Sequence, residues 1–79
     1  MVNITKSPEE NARAIIQIIV DRGIQPGEID NYGSVEAAFD GSTAEFNEGL
    51  EFAVQQDWLA VIDQEQVRLT HTGYDAARP

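Results

Sequence analysis

Apolar residues Ala12, Ile15, Ile16, Ile19 and Val20 recur at intervals of three and four, while Glu9, Arg13, Gln17 and Asp21 fill the positions between. That spacing matches the 3.6-residue period and gives an amphipathic helix with a single buried stripe. Ile18 falls toward the flank of the stripe. The start is marked by Ser7-Pro8-Glu9-Glu10, which supplies an N-cap serine, a proline where the first amide needs no partner, and a glutamate placed to reach back to the cap. Gly23 is the stop, since glycine readily takes the left-handed conformation that closes a helix.

Residues 24–32 read as a connection, punctuated by Pro26, Gly27 and Asn31, with room for a short extended piece at Ile24 or Ile29. Residues 34–39 predict a short helix with Val35, Ala38 and Phe39 turned inward, ended by Asp40-Gly41. A second capping box, Ser42-Thr43-Ala44-Glu45, opens a helix that runs to about Gln56. With Leu50 as its inward direction, rotations of about 100° per residue place Phe46, Ala53 and Val54 beside it. Glu45, Glu48, Phe52, Gln55 and Gln56 then face outward. After Asp57 the period drops to two. Residues 58–62 and 66–70 are β-prone runs around the polar Asp63-Gln64-Glu65, which predicts a hairpin. Thr70 caps a last helical turn over residues 71–77. Trp58 covers one end of the core, and Tyr32 and Tyr74 are structural.

This order of elements comes with a sequence, Gln55-Gln56-Asp57-Trp58-Leu59-Ala60-Val61, that leads into Val67-Arg68-Leu69-Thr70-His71-Thr72-Gly73-Tyr74-Asp75-Ala76-Ala77. Together they resemble the winged helix-turn-helix superfamily. Many members have a Trp-Leu or Leu-Leu pair after the recognition helix, then a wing hairpin, then a Leu-Thr-x-x-Gly-x-x-Ala closure, here Leu69, Thr70, Gly73 and Ala76. The resemblance spans nearly the whole chain. It implies a single α+β domain over residues 1–79, with three helices, a C-terminal β-hairpin and a short terminal helical turn. It also implies that residues 34–39 are the first helix of the helix-turn-helix, 43–56 the recognition helix and 63–66 the wing. The residues that carry it are packing and capping residues, which many functions share.

Charge separates this chain from the DNA-binding use of such a fold. Residues 24–66 contain no lysine or arginine, yet they hold ten acids: Glu28, Asp30, Glu36, Asp40, Glu45, Glu48, Glu51, Asp57, Asp63 and Glu65. DNA-binding members of the resembled superfamily neutralise phosphates with basic residues on the recognition helix and wing. Phosphate contacts supply most non-specific affinity, and here that surface has the wrong sign. Of the five bases, Lys6, Arg13, Arg22, Arg68 and Arg78, only Arg68 lies where a phosphate ligand is expected. The net charge of −9 disfavours nucleic acid and anionic membrane alike. An acid-rich chain with one lysine also fits a high-salt host, where acidic surfaces serve solubility.

At 79 residues the chain is one domain able to hide about 60% of its unfolded surface. It has no cysteine, which points to a reducing, cytoplasmic address, and no apolar run approaches the about 20 residues of a spanning helix. His71 is the only histidine and has no thiol to activate. Ser34 and Ser42 follow glycines outside any nucleophile elbow. Glu45, Glu48 and Glu51 wind around their helix rather than converging, and Asp30-Asn31-Tyr32-Gly33 lacks calcium-loop spacing. No enzyme, metal site or cofactor is expected. The expected function is an accessory or regulatory module acting through protein contacts. Two readings of Phe52 stay open, a ring folded against Gly49 or the first helix, or the anchor of a contact with Glu45, Glu48, Gln55 and Gln56 as polar rim and a basic protein or a second copy as partner. The alternative is a DNA-binding transcriptional regulator using Arg68.

Overall fold

The computed structural model describes residues 7–78; Lys6, counted above among the bases, lies outside them. The chain runs through helix α1 (Pro8–Asp21), strand β1 (Ile29–Asn31), helix α2 (Tyr32–Ala38), helix α3 (Thr43–Gln55), strands β2 (Leu59–Val61) and β3 (Gln66–Leu69), and helix α4 (His71–Ala77). Four helices and one antiparallel sheet ordered β1-β3-β2 make a small α+β domain whose arrangement is compatible with a winged helix. The expected hairpin is thus two-thirds of a sheet: the extended piece is at Ile29, not Ile24, and pairs with β3.

Both capping boxes form. The Ser7 hydroxyl accepts from the Glu10 N–H while Glu10 accepts from the Ser7 N–H, and Ser42 and Glu45 repeat the exchange at α3. Each box satisfies two of the amides that a helix start leaves without a partner. Helix α2 begins earlier than the sequence predicts. Asn31, rather than a residue beside Ser34, is its N-cap and accepts from the Ser34 N–H. Ala38 is exposed, correcting its inward assignment. The chain turns extended at Phe39, the C-cap, and that turn buries the Phe39 ring in place of Ala38.

The core is the seam between α1 and α3, closed by the inner face of the sheet. Ala12, Ile15, Ile16 and Ile19 are buried as their spacing predicts. Phe46 sits between Tyr32 and Phe39, with centroids 5.5 and 5.4 Å away and both rings edge-on, a geometry that aromatic quadrupoles favour. Burial, with a smaller push from Glu36, holds the Tyr32 phenol above its ordinary pKa. On the sheet, Leu59, Val67 and Leu69 face the helices and are buried, whereas Gln66 and Arg68 alternate to the outside.

Two polar devices fix the edges of this core. Asp30, opposite Val67 on the inner side of β1, is buried. It accepts two bonds from Arg22, at 2.8 and 3.0 Å, and one from the Asn31 N–H. That pairing raises the Arg22 pKa above its ordinary value, first through the hydrogen bond and then through the charge of Asp30. At the other end, Thr70 caps α4 by accepting from the Gly73 N–H, and its hydroxyl lies against the carbonyls of Asp57 and Trp58. A Cβ at Gly73 would overlap the Trp58 carbonyl. The Leu-Thr-x-x-Gly closure is therefore a packing joint between α4 and the base of the hairpin.

Candidate functional site

Helix α3 packs against strand β2, which leads into the turn at residues 62–65. Their sequence contains Glu45, Glu48, Glu51, Asp57, Asp63 and Glu65 and no base. The turn at residues 62–65 is held by the Asp63 carboxylate, which accepts from the Glu65 N–H at 2.8 Å, and by the Ile62 N–H donating to the Gln66 carbonyl. Acids therefore line both the helix and the hairpin tip.

Phe52 is not the solvent-facing ring that the sequence predicts. It is half-buried against the core and meets Trp58 edge-on, with centroids 5.7 Å apart and planes at 63°. The Trp58 ring also carries the Arg13 guanidinium 5.0 Å from its centroid, so contacts through Trp58 join α3, the base of the hairpin and α1. The cause is a shift in the phase of α3. Its inward direction is set by Gly49, whose absent side chain lets α1 approach: a Cβ there would lie 2.7 Å from the Asn11 backbone. Apolar periodicity cannot register a glycine at the centre of a contact, and Leu50 took its place in the reading. With the phase corrected, Phe52 turns toward Trp58 and Val54 turns out.

The rim residues divide. Glu48, Gln55 and Gln56 are exposed, but the Glu45 carboxylate is spent on the Ser42 N–H at 2.9 Å. Among the described residues, the large apolar side chains left exposed are Ile29, Val54, Val61 and Ile62, at 40, 42, 46 and 42%. Val54, Val61 and Ile62 lie on α3 and on the strand and turn that follow it. The sequence reading missed all three, because Val54 was assigned to the core and the other two to a strand whose faces were not separated. Strand alternation could have found only Ile62, on the face opposite Leu59; Val61 shares the face of Leu59 and pairs with buried Val67, so alternation predicts it covered.

Arg68 lies on the outer side of β3, paired in register with Ile29 and Ala60, on the sheet face turned away from the helices. His71 is exposed at the first position of α4, and Ser42 acts as a cap. A shallow cleft of about 380 Å³ opens between Arg13, Gln17 and the end of α4, and a smaller depression of about 180 Å³ lies by Ile29, Asn31 and Glu65. Neither is lined by the α3 residues. Among the described residues no three acids or histidines converge as metal ligands, and no helix is long and apolar enough to cross a membrane. Comparison with protein-family models, curated proteins and solved structures finds no match to this chain.

Proposed function

We propose that this chain is a small winged-helix module that works through protein–protein contacts, as an accessory or regulatory piece. One observation carries the reading. Helix α3 and the β2–β3 turn, which a winged helix would turn toward DNA, carry acids and no base and bear or adjoin exposed Val54, Val61 and Ile62. Apolar side chains inside a polar, charged rim are the make-up of a contact surface, and the charge suits a basic partner. Phe52 packs against Trp58 instead of anchoring that contact. Arg68 is a weak basis for the DNA-binding alternative, since a single guanidinium on the outer sheet face has no basic neighbour on the strands that flank it.

An NMR titration with a generic DNA duplex at low salt tests this reading: the amides of α3 and of residues 62–65 are expected to stay in place. Shifts concentrated there would favour the DNA-binding regulator. The corrected place of Phe52 carries its own outcome. Phe52→Ala should lower the free energy of unfolding by about 2 kcal/mol, as loss of a partly buried ring does, measured by urea denaturation; an unchanged midpoint would put Phe52 back at the surface.

A further inference from the structure

We propose that the peptide bond between Asp40 and Gly41, in the turn that joins α2 to α3, rearranges spontaneously in the folded chain to an isoaspartyl linkage. The inference stands apart from the protein-contact reading and does not depend on it. The Gly41 nitrogen gives its proton to water and attacks the Asp40 side-chain carboxyl, from which one protonated oxygen leaves as water, closing a cyclic imide. Proximity drives the closure without a catalyst, and glycine leaves its nitrogen unshielded because it has no Cβ. Water then opens the ring. Attack at the side-chain carbonyl restores aspartate, whereas attack at the main-chain carbonyl of residue 40 leaves the chain running through the side chain, with the α-carboxylate free. One water is lost and one taken up, and nothing is oxidised or reduced.

The fold leaves this pair unprotected. Asp40 and Gly41 are both exposed and lie between the helices rather than in them. The hydrogen bonds of the turn run from the N–H groups of Phe39, Ser42 and Glu45. Among the described residues the Gly41 N–H has no acceptor, and the Asp40 carboxylate has neither a donor nor a cation. The other aspartates are held. Asp21 and Asp75 belong to helices, Asp30 is buried against Arg22, the Asp63 carboxylate accepts from the Glu65 N–H, and the Trp58 N–H that follows Asp57 donates to the Ala53 carbonyl. None of these aspartates, and no asparagine, precedes a glycine.

Packing explains why the glycine is there. A Cβ at residue 41 would come within 2.6 Å of the Phe39 ring, so the residue that the turn requires is also the one that opens Asp40 to ring closure. The rearranged linkage adds one carbon to the main chain. On one side Phe39 is buried with its ring edge-on to Phe46, and on the other Ser42 is tied to Glu45 by the capping box. The added length is taken up at residues 40 and 41 or loosens one of these anchors, and either response changes how the chain enters α3.

The test is to age the folded chain at neutral pH beside a sample unfolded in guanidinium, then digest both with a protease that cleaves before aspartate but not before isoaspartate. In a growing fraction of folded chains residue 40 is expected to resist cleavage at unchanged mass. The aged chain should also accept a labelled methyl group from S-adenosylmethionine when an isoaspartate-specific methyltransferase is supplied as the probe, and its Phe39, Ser42 and Glu45 amides should shift in NMR spectra. Two variants keep the glycine and move the outcome in opposite directions. Asp40→Glu, whose imide ring is one atom larger and closes slowly, should lose methyl acceptance, while Asp40→Asn should gain it faster, because an uncharged amide is a better electrophile than a carboxylate. A folded sample that stays cleavable at residue 40 overturns the proposal, whether or not the unfolded sample rearranges. Methyl acceptance that persists in Asp40→Glu overturns it as well, by placing the reactive residue elsewhere.

Discussion

Asn11 lies fully buried where α1 crosses α3, and both its amide atoms lack a hydrogen-bond partner among the described residues. A buried polar group without a partner costs roughly 1–3 kcal/mol, so this one side chain works against the fold. Leucine has nearly the same branched shape and no polar atom. Asn11→Leu is therefore expected to raise stability by about 1–2 kcal/mol, read as a shift in the urea midpoint at constant slope. A loss of stability would mean that an ordered water satisfies the amide. The sequence gives no hint of this residue: one position before Ala12 it reads as the polar flank of the stripe, and only the close approach permitted by Gly49 draws it under α3.

At the scale of elements, glycine and capping residues decide where helices end and how closely they pack. Ser7, Ser42 and Thr70 were all legible as caps because their chemistry is local. The contacts of Gly49 and Gly73 were not, because a glycine's role in packing depends on what lies across from it. Gly73→Ala is expected to destabilise by about 1–3 kcal/mol, the range for forcing atoms into a packed joint, despite alanine's better helix propensity. Thermal unfolding measures it, and a rise in midpoint would show that α4 can move off the hairpin. The same distinction explains the partial success with the candidate site. The acidic surface followed from counting charges along elements that were correctly ordered, whereas the anchor depended on a helix phase fixed by a distant backbone. Strand β1 was legible only as an extended piece at either Ile24 or Ile29, because three residues have no period of their own and only pairing with β3 makes Ile29–Asn31 a strand.

For the molecule as a whole, fourteen acids against five bases leave a self-repulsion that favours expansion. Salt at physiological strength screens charges about 8 Å apart or more, so added sodium chloride is expected to raise the unfolding midpoint by several degrees, about 4–8 °C for each kcal/mol recovered. The chain should nevertheless stay folded at low salt, since its core and caps do not depend on ions. Collapse of the far-ultraviolet dichroism on dilution would instead mark the acidity as an adaptation to brine, and the charge would then say little about partners.

The joint at Thr70 reaches beyond α4. By binding the carbonyls at the base of the hairpin, it sets the register of β2 against β3 at the end remote from the turn. The hairpin is buttoned at its foot, so its tip is where residues can be gained or lost for little more than loop-closure entropy, about 0.6 kcal/mol per doubling of length. A lineage could therefore re-tailor the tip while the strands behind it keep their alignment.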